Sequence, residues 1–346
     1  MAAVQQERAA MRLGEATLLE MYRVMLLSRR LDERSWALHR QGKIAFHISA
    51  MGHEAAQVGT AFAINRTVDY VHPYYRDLAL TLAIGITPTD FMMSLYAKQD
   101  EYSSGGRQMP SHFSSKSLNI ISGSAPVATQ VPQAAGLAFA IKYRQQLGLD
   151  DPNDTTRPRL ALTCLGEGST SQGEWHEGMN WAGVHKLPMI CVVQNNNYAI
   201  SVGVEQQMAI RNVADRAAAY GVQGVVVDGN NILAVYDVAY EAAQRAYSGE
   251  GATLLEAKTY RIVPHSSDDD DRSYRTREEV AEWKAKDPIS HFQKWLLDEQ
   301  ILTSARVQEM EAEAKAAVDQ AQAAAEAAPE PMPEAAIGDV YAPVEE

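Results

Sequence analysis

Residues 160–178 read LALTCLGEGSTSQGEWHEG, and one βαβ unit further on residues 188–198 read PMICVVQNNNY. An apolar run entering Gly166-Glu167-Gly168, with helix-forming sequence behind it, has the pattern of a strand, a tight turn and a helix. Glycines there let the backbone approach a phosphate, and the following helix N-terminus offers free N–H groups and partial positive charge. A carboxylate between those glycines would repel a phosphate unless a divalent cation lay between them. Glu167 therefore asks for Mg²⁺ or Ca²⁺, hard cations with oxygen ligands. The next strand ends in Gln194-Asn195-Asn196-Asn197-Tyr198, which supplies amide and carbonyl oxygens at the same sheet edge. Singly, a glycine-flanked acid is only a helix-start charge and an asparagine run only a turn. Their joint placement makes the signal. A dinucleotide fingerprint is the rival reading, but Ser171 stands where GxGxxG needs its third glycine.

Around this unit the chain alternates. Strands are expected at 159–165, 189–193, 222–227 and 253–258, with helices through WHEGMNWAGVHK, near 211–220 and near 232–247. Strands written as continuous apolar runs between helices predict an α/β fold: a mostly parallel sheet with helices on both faces and the ligand at the strand C-terminal ends. Residues 1–50 read as a helical arm with period near 3.6 from Leu18 to Leu31, a break at Gly42 and an extended IAFHIS segment. Another helix is expected from GHEAAQVGTAFAI, followed by YVHPYYRD, a polar and aromatic stretch suited to a site wall. Residues 51–300 form the α/β domain, and 301–346 an Ala/Glu-rich helix with a Pro-broken tail. The Gly/Ser/Pro-rich segment 100–126 is too long for a simple connection and contains Met109, Phe113, Ile120 and Ile121, so an ordered functional loop is expected.

With 346 residues, 46% of them hydrophobic, the chain can bury a large core. A formal charge of −13 opposes a nucleic-acid surface, which needs an excess of Lys and Arg. Cys164 and Cys191, the only cysteines, each lie inside an apolar run and read as buried thiols in a reducing compartment. The N-terminus lacks the apolar core of a signal peptide, and no apolar stretch approaches the length of a membrane span. A cytoplasmic protein is expected.

The motif resembles that of thiamine diphosphate enzymes, which opens Gly-Asp-Gly and closes Asn-Asn; here Glu167 replaces the Asp. From Met21 to Asp298 the chain is similar to the alpha subunit of the decarboxylating component of branched-chain 2-oxoacid dehydrogenase complexes. The resemblance implies a thiamine diphosphate-binding fold in which Mg²⁺ is held by the side chains of Glu167 and Asn196 and the carbonyl of Tyr198. It places Gly166, Gly168, Ser169, Tyr75 and Arg76 at the diphosphate and Ala125 and Val127 at the aminopyrimidine. A K⁺ ion at Ser124, Thr129 and Gln130 is implied by the same match. Phe46, His112 and Ser124 match substrate-pocket positions. The segment RIVPHSSDDDDRSYRTREEV looks like the family's active-site loop, with His265 beside the reacting carbon as proton or hydrogen-bond donor. Without the family match, Arg76 reads as a salt bridge to Asp77 or Asp69, and Asp268 to Asp271 as a solvated run held by Arg272 or Arg275. Some relatives phosphorylate a serine matching Ser266.

The implied reaction is decarboxylation of a 2-oxo acid, with the acyl group passing to a lipoyl-bearing acyltransferase component. Branched-chain 2-oxo acids, pyruvate and acetoin are the substrates in question. No segment matches the one that in this family supplies the glutamate activating the pyrimidine, and the resemblance implies that a beta subunit completes the site in an α₂β₂ assembly. An NAD-dependent oxidoreductase and a non-catalytic scaffold subunit are the alternatives from other classes.

Overall fold

The structure, a computed structural model, describes residues 2–150, 154 and 156–338. The end of the expected C-terminal tail lies outside the described residues. Helices α1 (Ala2–Arg12) and α2 (Glu15–Arg40) form the arm; α3 (Glu54–Ala63), strand β1 (Tyr70–His72), α4 (Leu78–Ile84) and α5 (Pro88–Leu95) lead into the long loop. Then come α6 (Gln130–Gln146), β2 (Ala161–Gly166), α7 (Gly173–Val184), β3 (Met189–Asn195) and a small hairpin of β4 (Tyr198–Ala199) and β5 (Val202–Gly203). Two single-turn helices follow, α8 (Val204–Gln207) and α9 (Ala217–Tyr220). They precede β6 (Gln223–Asp228), α10 (Ile232–Tyr247), β7 (Thr253–Lys258), α11 (Arg277–Lys284), α12 (Pro288–Asp298) and α13 (Ser304–Ala327).

The main sheet is wholly parallel in the order β1-β2-β3-β7-β6. Both faces are covered, because side chains of period two on each strand enter two separate cores. From β3, Ile190 and Val192 join Leu162 and Cys164 of β2 in one core, roofed by α2, α3, α10 and α13. Met189, Cys191 and Val193 join Ala161 and Leu165 in the other, under α6 and α7. The two thiols therefore lie on opposite faces, buried and free. The arm and the C-terminal helix share the first core with the α/β domain. Burial of Asp237 on α10 is answered by Arg8 and Arg12, which fasten α1.

Two local expectations change. The stretch 211–220 is a 3₁₀ turn (Val213–Arg216) and one α turn, ended by Gly221 at φ +66°, because the β7 carboxylate Glu256 accepts the Ala214 N–H (2.9 Å) and pins the turn to the sheet. Tyr70–His72 is a fifth strand, paired with β2. The IAFHIS segment is extended without joining a sheet. Among the described residues no helix is long and apolar enough to cross a membrane.

Register decides where a ligand can sit. Gly166 pairs with Gln194 and Asn195 with Lys258, so the loops leaving β2, β3 and β7 emerge together at one edge. Gly52 brings the N-terminus of α3 to that edge: at φ +93° its built Cβ would stand 2.0 Å from the Tyr260 carbonyl oxygen. Gly52→Ala should therefore cost about 2–4 kcal/mol through overpacking and left-handed strain, seen as a lower urea midpoint of the purified protein.

Candidate active site

The converging loops enclose a cleft of about 360 Å³. Its floor is the turn after β2, where Glu167 opens a 3₁₀ turn running to Ser171. A Cβ on Gly166 would enter open space, whereas one on Gly168 would meet Ala199 Cβ at 2.5 Å. Gly168 lets the hairpin pack on the turn; Gly166 keeps the cleft open. Glu167 is 1% exposed and forms no ion pair among the described residues. One of its oxygens accepts the Asn196 N–H (3.1 Å), and Gln207 Nε2 reaches the other at 3.5 Å. Burial pushes this carboxyl above its ordinary range. Asn196 Oδ1, which accepts the Tyr198 N–H at 3.3 Å, adds an amide oxygen beside it. A lone carboxylate among amide and peptide oxygens can hold a hard cation that keeps other oxygen ligands. No group of three His, Cys, Asp or Glu that could hold a metal occurs among the described residues.

The opposite wall is cationic. Arg76 and Arg261 are 2% and 0% exposed, and neither is in an ion pair among the described residues. The Nε of each is buried without a hydrogen-bond partner. The salt-bridge reading of Arg76 fails because Asp77 instead accepts the Tyr74 N–H (3.0 Å) and the Gln194 amide. Asp69 is occupied by the Arg159 N–H and the Tyr247 hydroxyl. Arg76 is held at both ends: Gln57 Nε2 donates to its carbonyl at 2.9 Å and to Gln194 Oε1 at 3.0 Å, while its own Nη1 donates to the Ser49 carbonyl and its Nη2 to the His265 carbonyl at 3.3 Å. Arg261 donates to the Ile200 carbonyl (2.7 Å) and the Tyr274 hydroxyl (2.8 Å). Burial, then the neighbouring Arg76 charge, pull its guanidinium down to about 10.

His265 lies between these cations. Burial first, then Arg76 and Arg261, push its imidazole down to about 3, so it is neutral near pH 7. Its Nδ1 is 3.4 Å from Arg76 Nη2 and 3.4 Å from Arg261 Nη1. Both neighbours only donate, so Nδ1 accepts and the proton resides on Nε2. The loop that carries His265 is built by the acidic run: Asp269 accepts the His265 N–H (2.7 Å) and the Tyr274 hydroxyl, Asp271 pairs with the buried Arg275 (2.6 Å), and Asp270 pairs with the exposed Arg272. Ser267 docks the loop on the 46–50 segment through its N–H to the His47 carbonyl (2.9 Å). Ser266 is 7% exposed.

Of the residues singled out in the sequence, Phe46, Tyr75, Arg76, His112, Ala125, Val127, the turn Gly166–Ser169, Asn196, Tyr198 and His265 all line this cleft. Ser124, Thr129 and Gln130 do not; Gln130 donates to the Cys164 carbonyl at 2.9 Å, behind β2. Six lining residues were not foreseen as part of the site: Ile48, Tyr74, Met109, Ala199, Ile200 and Arg261. Ile48 could have been found from Phe46 by alternation along the IAFHIS segment, whereas Arg261 carries no local signal beyond lying just past β7. Tyr74 carried no distinguishing signal within YVHPYYRD.

The dehydrogenase E1 component family matches residues 22–334, which extends the likeness through the C-terminal helix. The chain is 50% identical over 333 residues to 2-oxoisovalerate dehydrogenase subunit alpha of Bacillus subtilis (strain 168), covering 96% of this chain and 98% of that one. It is 37% identical over 308 residues to the pyruvate dehydrogenase E1 component subunit alpha of Staphylococcus aureus (strain Mu50 / ATCC 700699), covering 88% and 76% of the two. It is 34% identical over 286 residues to 2-oxoisovalerate dehydrogenase subunit alpha 1, mitochondrial, of Arabidopsis thaliana, covering 82% of this chain and 58% of that one. A family match across most of the chain, together with a relative aligned end to end, establishes that this protein belongs to the dehydrogenase E1 component family.

Proposed function

We propose that the chain is the alpha subunit of a thiamine diphosphate-dependent enzyme that oxidatively decarboxylates branched-chain 2-oxo acids and passes the acyl group to a lipoyl-bearing acyltransferase. The observation that carries this is one of charge. Buried cations at Arg76 and Arg261 and a buried acid at Glu167 share a cleft without pairing. A diphosphate with Mg²⁺ would satisfy both sides: Arg76 and Arg261 would hold the anion, and Glu167, Asn196 and the Tyr198 carbonyl would hold the metal. A dinucleotide needs no acid there, and the helix after the turn begins only at Gly173.

Thiamine diphosphate, when bound, supplies a carbon nucleophile and an electron sink for loss of CO₂. The chain's own residues then have separable roles. Arg76 and Arg261 fix the anionic end, with Tyr75 packed edge-on to His265 at 6.2 Å. Neutral His265 donates from Nε2 to an oxygen on which negative charge develops, and can pass a proton there. His112 donates Nδ1–H to the Met109 carbonyl (3.0 Å), which leaves Nε2 as an acceptor among the apolar residues Phe46, Ile48 and Met109. That apolar wall suits a branched alkyl group. Completion of the site needs a beta subunit, in an α₂β₂ assembly in the cytoplasm. A K⁺ site at Ser124, Thr129 and Gln130 rests on the resemblance alone.

Co-expression with the beta subunit and measurement of 2-oxoacid-dependent dye reduction tests the reading. Turnover of 3-methyl-2-oxobutanoate and 4-methyl-2-oxopentanoate, which carry two and three carbons more than pyruvate, should exceed that of pyruvate in kcat/KM by at least the roughly 10- to 200-fold that one methylene contributes in an apolar pocket. The isolated chain should show none. Preference for pyruvate would reject the branched-chain assignment, and activity without the partner would reject the half-site.

Gly166→Ala separates cofactor binding from folding. The position has φ −83° and its Cβ meets nothing within 4 Å, so the melting temperature should hold. Thiamine diphosphate binding by calorimetry should weaken about tenfold, because the methyl group occupies the space a phosphate needs.

The raised Glu167 carboxyl makes a proton and Mg²⁺ compete for the same oxygens. Mg²⁺ affinity should therefore weaken as pH falls, and binding should release protons, seen as a dependence of titration heat on buffer ionisation enthalpy. Pure pH independence from pH 5 to pH 8 would contradict this.

A further inference from the structure

On α11, Thr276 is the N-cap and its hydroxyl accepts the Glu279 N–H at 3.1 Å. Local chemistry would have Glu279, three positions in, turn back to the Thr276 N–H and close a capping box. It does not. Its carboxylate takes the Tyr198 hydroxyl, 2.9 and 3.0 Å from the two oxygens, and the Tyr260 hydroxyl at 2.9 Å. Tyr198 follows β3 and lines the cleft, and Tyr260 follows β7. The same helix stacks Trp283 on Tyr260, with ring centroids 4.9 Å apart and planes within 3°. The Arg261 guanidinium stands 6.0 Å from the Tyr198 ring and 5.9 Å from that of Tyr274, inside the arch that Glu279 closes. A helix thus gives up part of its own cap to tie together the two segments that leave the neighbouring strands β3 and β7 at the cleft edge.

We propose that Glu279 is a positioning residue for the metal-binding turn: by gripping the Tyr198 and Tyr260 hydroxyls it sets the Tyr198 carbonyl against Glu167 and Asn196. This rests on the reading of those three residues as the Mg²⁺ site. Glu279 itself does not touch metal or substrate; it acts through the phenol rings, as outer-shell partners orient inner ligands.

The test uses the complex co-expressed with the beta subunit and reads the Mg²⁺ concentration that half-saturates thiamine diphosphate binding, followed by tryptophan fluorescence. Glu279→Ala and Tyr198→Phe should each raise that concentration about tenfold, and the double variant should go no further than either single one. Glu279→Gln keeps an acceptor for a phenol hydroxyl and should recover most of the loss. A merely structural role would lower the melting temperature equally with and without Mg²⁺ and leave the half-saturating concentration unchanged, which would overturn the inference. Additive effects in the double variant would overturn it too. Should Glu279→Ala fail to assemble, Tyr198→Phe, which removes one oxygen, decides alone. Wild-type binding of thiamine diphosphate that ignores Mg²⁺ would instead remove the underlying metal-site reading, and the inference with it.

Discussion

Charges held apart organise this molecule. Bringing guanidinium groups into a protein interior is costly unless a counter-charge meets them, and here the acids beside them in sequence or space are engaged elsewhere. Asp77 is bound by the Tyr74 N–H and the Gln194 amide, Asp69 by the Tyr247 hydroxyl, and Asp269 by the His265 N–H. These hydrogen bonds keep Arg76 and Arg261 available to an anion. They also explain the neutral imidazole between them, since a third positive charge there would add to the repulsion. Electrostatic tension of this kind marks functional sites, because selection for stability alone would pair or remove the charges.

The scaffold that bears the tension is rigid for ordinary reasons. A parallel sheet buried on both faces fixes the strand ends, and its register brings three loops to one edge without any loop specifying the meeting. Behind Arg76, Gln194 Oε1 lies 2.8 Å from His53 Nδ1, 3.0 Å from Gln57 Nε2 and 3.3 Å from the Tyr74 hydroxyl. One amide at the end of β3 therefore ties together α3, the Tyr74–Arg76 wall and the sheet edge. Gln194 entered the sequence reading only as part of a run of polar residues, yet it is the node on which the wall hangs.

What the sequence disclosed followed from periodicity. Strands β2, β3, β6 and β7 and helices α7 and α10 were legible because each is an apolar run of ordinary length between turn signals. Strand β1 was not. Tyr70–His72 is three residues long, and its neighbours mix rings with charges, so no pattern of period two can develop. The stretch 211–220 was misread as one helix because its alanines carry helix propensity, while the contact that shortens it, Ala214 to Glu256, spans 42 residues. In the site, glycines and amides at strand ends announced themselves by local spacing. Arg261 did not, since its importance arises from the absence of a partner, which only three dimensions reveal. The diversion of Glu279 from its cap is likewise invisible in a Thr-x-x-Glu string that predicts the opposite.

The separation of Cys164 and Cys191 onto the two faces of the sheet has a practical side. Each thiol is sealed within a different core, and burial pushes both above the ordinary thiol range. A reagent that needs a thiolate can reach Cys164 only when the first core opens near Asp77 and Gln194, and Cys191 only when the core under α6 and α7 opens. The chain therefore contains two natural clocks, one for each layer. The difference in their modification rates would report which side of the sandwich loosens first.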